Sequence, residues 1–241
     1  MHIREKELIM QRAALHARRE EFEEALSCIQ MIIDEDPDDP VAWFNKGYTL
    51  YLSGSVDDAR DLFLHLLSKY PDRADICFEL GRIAQKTGDN QEAEEYFSRC
   101  ISLEPLRPEP RIELGKMWYE SGHYHTARDT LSEALVFDPE NPEILTLLGR
   151  IAHKLNKPDE AERWFRESLD HDPDDTETLL YCARLYEEMG RLKDELWCYN
   201  RLIEINPEQI VPWLKKGMIS LSQDNLQMAV SCFRMASGLD A

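Results

Sequence analysis

No stretch of this 241-residue chain approaches the roughly 18 uninterrupted apolar residues of a membrane-crossing helix. Its start, Met1-His2-Ile3-Arg4-Glu5-Lys6-Glu7, is charged and lacks the apolar core of a secretory signal. Basic residues are scarce: 28 Lys and Arg stand against 47 Asp and Glu, a formal charge of −19. A surface of that sign repels phosphate backbones and anionic lipid, so neither nucleic acid nor a membrane is expected as a partner. No two cysteines are spaced as CxxC. Cys28, Cys77, Cys100, Cys182, Cys198 and Cys232 are scattered instead. That spread suits free, mostly buried thiols in a reducing compartment, and cytoplasm is the expected location.

The chemical motifs are missing too. There is no phosphate-binding glycine loop, no HExxH and no GxSxG, so no catalytic set and no cofactor are expected. His123-x-His125 has no third ligand nearby in sequence and reads as a solvated turn. Asp34-x-Asp36-x-Asp38 and Asp170-x-Asp172-x-Asp174 imitate the start of a calcium loop. They carry Asp39 and Asp175 where that loop needs Gly, and Asn45 and Tyr181 where it needs Glu. Both runs read better as helix caps and turns, and no metal is expected.

What the chain does have is a period. Pro37, Pro71, Pro105, Pro139, Pro173 and Pro207 are each 34 residues apart, without insertion. Setting these prolines at position 32 gives seven units: 6–39, 40–73, 74–107, 108–141, 142–175, 176–209 and 210–241. Position 8 is then Ala13, Gly47, Gly81, Gly115, Gly149, Ala183 and Gly217. Position 20 is Ala25, Ala59, Ala93, Ala127, Ala161, Glu195 and Ala229. Position 24 is Ile29, Phe63, Phe97, Leu131, Phe165, Tyr199 and Phe233. Two small residues let a pair of antiparallel helices approach closely, and the large apolar residue fills the space beside them. Position 15 is Glu20, Gly54, Gly88, Gly122, Asn156, Gly190 and Asp224, mostly types that tolerate the left-handed conformation ending a helix. Asp39-Pro40 and Asn141-Pro142 look like an N-cap followed by proline in the first turn, and Asp175 stands in the same place before Thr176. Each unit is thus helix A over about positions 2–14 and helix B over about 18–30, and neighbours must stack to bury them.

This pattern resembles the tetratricopeptide repeat (TPR) over almost the whole chain. The resemblance implies an all-α fold, a right-handed α-solenoid of seven tandem helix-turn-helix units in one domain, with a concave groove lined by the A helices. It implies a non-catalytic role as a scaffold or adaptor holding other proteins. Two departures stand out. The first unit is degenerate, with Glu20 at its turn and His16 at position 11. The sixth has a carboxylate, Glu195, where alanine is expected, and its two helices are expected to splay locally. Trp43, Trp118, Trp164, Trp197 and Trp213 are expected to fill the core.

In the family, positions 2, 5, 9, 12 and 13 of helix A face the groove and position 6 lies at its edge. An aromatic zone then contains Phe44, Asn45, Tyr48, Tyr51 and Phe78, with Val41 and Leu52. A basic zone contains Arg82, Lys116, Arg150 and Arg184 at position 9, with Lys86, Lys154, His153 and Tyr119. An apolar zone contains Val211, Leu214, Met218 and Leu221, spaced as a helical stripe, preceded by Leu180 and Tyr181. These are the candidate partner-binding residues, for a peptide segment or amphipathic helix, in the basic zone an acidic one. Each zone has a second reading. The aromatics can be buried against a neighbouring A helix. The cations can be neutralised by Asp75, Glu109, Glu143 and Glu177 at position 2, or by Glu79, Glu113, Glu120 and Glu188. The apolar stripe can receive a capping segment or a second copy, because the last B helix would leave Met235 and Leu239 without a neighbour. The family's two-carboxylate clamp for chaperone tails is not matched: only Asn45 fits, and Asp75 and Glu79 stand where cations are required. The rivals to an adaptor are a self-assembling structural protein and a fragment of a larger enzyme or complex subunit.

Overall fold

The computed structural model describes residues 3–238, and every regular element in them is an α-helix. The A helices are α1 (Ile3–Arg18), α3 (Pro40–Leu52), α5 (Ala74–Thr87), α7 (Glu109–Glu120), α9 (Pro142–Lys154), α11 (Thr176–Glu188) and α13 (Ile210–Ser222). The B helices are α2 (Phe22–Glu35), α4 (Val56–Lys69), α6 (Asn90–Leu103), α8 (Tyr124–Phe137), α10 (Pro158–His171), α12 (Leu192–Ile205) and α14 (Leu226–Gly238). Contacts gather the chain into two units, residues 1–114 and 115–241. Leu239 lies outside the described residues.

Three local devices repeat. At the A–B turn Glu20, Gly54, Gly88, Gly122, Asn156, Gly190 and Asp224 all have positive φ, from 58 to 88°. This left-handed step ends helix A and turns the chain back. Glu20 bears the steric strain of that conformation, so Glu20→Gly should raise stability by about 0.5–1 kcal/mol in a denaturant titration. At the B–A junction the residue before each repeat proline closes the B helix. Asp36, Tyr70, Glu104, Asp138, Asp172 and Asn206 have ψ between 73 and 94°, because a following proline disfavours the helical region.

The third device caps the next A helix. Asp39 accepts from the Val41 and Ala42 amides, Asn141 from those of Glu143 and Ile144, and Asp175 from that of Glu177. Burial tends to raise the Asp39 carboxyl, but Lys6 and the two amides overcome it and hold it below its ordinary value. A depressed carboxyl contributes stability above its unfolded pKa of about 3.9 and loses it as pH falls through the lower folded value. Asp39→Ala should therefore cost about 1–2 kcal/mol at neutral pH.

The helices of a pair touch at the small-residue positions. A Cβ added to Gly47, Gly81, Gly149 or Gly217 would meet the ring of Phe63, Phe97, Phe165 or Phe233 at 2.5–2.9 Å, and one on Gly115 would meet Leu131 at 2.5 Å. In the sixth pair Ala183, Cys182, Cys198 and Tyr199 pack into one buried cluster. The expected splaying of that pair is thus not found: Glu195 is 3 % exposed within closed helices.

The tryptophans correct the sequence reading in part. Trp43 and Trp213 are half-buried, and their indoles donate to the carbonyls of Pro37 and Pro207 at 2.8 and 2.9 Å. Arg111 does the same for Pro105 at 2.9 Å, and Arg99 for Pro71 at 2.7 Å. The side chain thus anchors the proline turn, while Trp43 also packs against the core, as Trp164 does. Trp197 is 54 % exposed on α12. Loss of one such hydrogen bond in Trp43→Phe should cost about 1 kcal/mol by thermal denaturation.

Candidate partner-binding face

In the first unit the aromatic zone lies on α3 and α5 and is half-buried. Phe44, Tyr48, Tyr51 and Phe78 all pack against one core cluster. Phe44 meets Phe63 edge-on at 5.4 Å, and Phe78 meets Phe97 at 5.7 Å. Cations cover their outer faces: Arg73 lies over Phe44, Arg107 over Phe78, and both Arg82 and Lys86 over Tyr51 at 4.6–5.5 Å. Asn45 donates to the Val41 carbonyl at 2.8 Å. Arg82 also pairs with Glu79 at 3.2 Å, as i,i+3 spacing predicts. Glu79 is buried, and burial pushes its carboxyl up against the pull of Arg82 and Arg107. What stays open on these helices is Val41 and Leu52.

In the second unit the cations are mostly engaged across helix pairs. Lys116 on α7 reaches Glu143 on α9 at 2.5 Å, and Arg150 on α9 reaches Glu177 on α11 at 3.4 Å. His153 meets Glu188 at 2.6 Å. Arg150 is also held between the rings of Tyr119 and Tyr181, 4.7 Å from each centroid. Its buried Nε finds no hydrogen-bond acceptor. Lys116, Tyr119, Glu143, Arg150 and Glu177 border a hollow of about 530 Å³ that Thr146, Asp175 and Glu120 also line. Beneath it runs a chain of hydroxyls. Ser168 approaches the Pro142 carbonyl at 3.1 Å and Thr146 at 2.8 Å, Thr146 meets Thr178 at 2.5 Å, and Thr178 donates to Asp175. Four contacts share three hydroxyl protons, so this floor is polar and oversubscribed. Lys154 and Arg184 are exposed.

The apolar zone is the most open. Val211, Leu214, Met218 and Leu221 on α13 are 39–59 % exposed, and Leu180 on α11 is similar. A second apolar set, Leu226, Met228, Val230 and Met235, is exposed on α14. Sequence reasoning also missed a hollow of about 770 Å³ lined by residues of α10, α11 and α12, which Trp197 borders with Arg166 and Arg201. The missing signal is plain: position 22 of the unit carries no pattern that tells an exposed indole from a packed one.

No helix among the described residues is long and apolar enough to cross a membrane. Two family profiles, each described as tetratricopeptide repeat, match residues 84–151 and 118–167, and residues 10–74. Together they cover more than half of the chain. No curated protein matches significantly in sequence. Among solved structures, the chain is similar to the C-terminal part of a TPR repeat-containing protein from Cytophaga hutchinsonii, with TM-score 0.74 and 15 % identity over 96 % of this chain and 95 % of that one. It is similar to pilF of Pseudomonas aeruginosa, with TM-score 0.70 and 19 % identity over 80 % and 88 %. It is also similar to YrrB, described as a TPR protein with an unusual peptide-binding site, with TM-score 0.60 and 17 % identity over 73 % and 91 %.

Proposed function

Because the chain belongs to the tetratricopeptide-repeat family, we propose that it is a non-catalytic scaffold or adaptor that holds a peptide segment or helix of another protein on the face of its A helices. One observation carries the reading. Val41, Leu52, Leu180, Val211, Leu214, Met218 and Leu221 are large, apolar and exposed, and all fall at positions 2, 5, 9, 12 or 13 of their units. Within each of the two units, exposed apolar side chains of this kind on the A helices mark an interaction surface. The peptide-binding site named for YrrB is consistent with this use of the fold. The partner is a protein, not nucleic acid or membrane, in keeping with the charge of −19. The reading takes residues 1–241 as one domain and places it in the cytoplasm, where its six buried, unbridged thiols stay reduced.

The cation row contributes less than its sequence suggests. Arg82 is already paired with the buried Glu79, and Lys116 and Arg150 with exposed glutamates in pairs worth about 0–1 kcal/mol each. The test is a pull-down from the source organism's lysate with the native chain, Val41→Asp/Leu52→Asp and Leu214→Asp/Met218→Asp, each checked for helix content. A partner captured by the native chain and lost with one of the variants supports the reading. A partner retained by both variants rejects it. Self-assembly is the second reading, favoured by the exposed apolar set on α14. A strictly monomeric species in concentration-dependent light scattering would sink it.

A further inference from the structure

Arg150 and Arg184 hold the same place in successive helix pairs, yet only Arg150 is paired with a carboxylate and held against aromatic rings. Its three neighbours are Tyr119, Tyr181 and Glu177. The residues 34 positions further on are His153, Lys215 and Val211. None of them serves Arg184. His153 is bonded to Glu188 at 2.6 Å, Lys215 to Glu187 at 2.9 Å, and Val211 has no acceptor. Glu187 and Glu188 are the two carboxylates that helical spacing puts within reach of Arg184, and both are turned to other partners, Lys215 and His153. Arg184 is exposed; its one electrostatic neighbour is the Tyr199 hydroxyl, and it makes no hydrogen bond, ion pair or ring contact among the described residues.

The change that removes its acid also leaves an apolar surface beside it. Leu180 lies one turn before Arg184 on α11. Val211, Leu214, Met218 and Leu221 form an exposed stripe on α13. The Lys215–Glu187 ion pair ties α13 directly to α11. A planar guanidinium with five donors and no acceptor is matched best by a carboxylate that binds it with both oxygens. A stripe spaced at 0, 3, 7 and 10 residues, about 15 Å long, matches the apolar face of a helix.

The geometry points to an amphipathic helix of another protein, with an apolar stripe and one carboxylate beside it, lying on α11 and α13 with its carboxylate on Arg184. The inference rests on the A-helix reading above and narrows it to one ligand class and one place. A second copy of the chain is a poorer occupant. Helix α13, IVPWLKKGMISLS, contains no acidic residue, so α13 packed on α13 offers Arg184 no carboxylate and sets Lys215 and Lys216 against their counterparts.

The test uses 16-residue peptides selected from a displayed random library against the full chain, with affinities measured by fluorescence anisotropy. Enriched peptides should share an acid flanking apolar residues at helical spacing. Arg184→Ala and Met218→Asp should each weaken binding by about tenfold or more, while Arg128→Ala on α8 should leave it unchanged. Replacing the peptide's acid by glutamine should cost the same, with no further loss in Arg184→Ala. Peptides without a shared acid, or binding indifferent to Arg184→Ala but lost in Met218→Asp or Val41→Asp/Leu52→Asp, would overturn this inference and leave the A-helix reading standing. No enrichment, or binding indifferent to every one of these variants, would overturn both. A dimer in sedimentation that Met218→Asp dissociates would give the face to a second copy and overturn the inference.

Discussion

Phe97→Ala is expected to lower stability by about 3–5 kcal/mol, the cost of emptying a fully buried aromatic site. The ring is 0 % exposed and lies against Gly81, where an added Cβ would sit 2.6 Å from its edge. Gly81→Ala should also destabilise. It gains about 1 kcal/mol of helix propensity, but the overlap forces the ring aside at a cost of about 1–3 kcal/mol. The first helix pair shows the compensation, since Ala13 and Ile29 stand there in place of Gly and Phe, both buried. Gly81→Ala with Phe97→Ile should therefore cost less than the sum of the two singles, by about 1 kcal/mol in a double-mutant cycle. Strict additivity in denaturant titrations would show that the two helices do not set each other's side-chain size.

The second large effect has the opposite sign. Glu195→Ala should stabilise the protein by about 1 kcal/mol at pH 7, because a carboxylate that burial and Glu187 both disfavour is replaced by a side chain that fits. Alanine stands fully buried at the matching place in five other pairs: Ala25, Ala59, Ala93, Ala127 and Ala161. Burial raises the Glu195 carboxyl, Glu187 adds to this, and Lys215 only partly opposes it. A raised carboxyl penalises the fold only when ionised. The penalty is therefore absent below the unfolded pKa of about 4.3 and develops as pH rises through the higher folded value. The gain from Glu195→Ala should shrink towards zero at acid pH. An equal gain at pH 4 and pH 7 would mean that packing, not charge, is responsible.

The helix pairs were legible in the sequence because their signals are steric and local. The period of the prolines, the small residues facing Phe63, Phe97 and Phe165, and the caps Asp39, Asn141 and Asp175 all act within one or two turns, and the structure holds each as expected. Even Glu20 takes the left-handed conformation of its glycine counterparts. Charges and large polar side chains were less legible. That Lys116 reaches Glu143 depends on the next helix pair, and so does the lack of a carboxylate at Arg184. Trp197 and Trp43 have the same residue type, yet one is open to solvent and the other anchors a proline carbonyl. Glu195 signalled discomfort correctly, but the closely packed Ala183 and Tyr199 outweigh it and keep the pair shut. The candidate binding residues could be named from position alone. How free each is to bind could not.

The buried cysteines offer one more use of this architecture. Burial pushes the Cys100 thiol up to about 11 and raises that of Cys77, while a hydrogen bond with Cys198, together with burial, raises that of Cys182, so a thiol reagent has almost nothing to attack while the helices stay closed. The thiols sit in the first, third, sixth and seventh helix pairs, on α2, α5, α6, α11, α12 and α14. Each modification rate then becomes a clock for the opening of its own stretch of chain. Read together by mass spectrometry, the six clocks would show whether the protein opens pair by pair or all at once, with no label added to the native sequence.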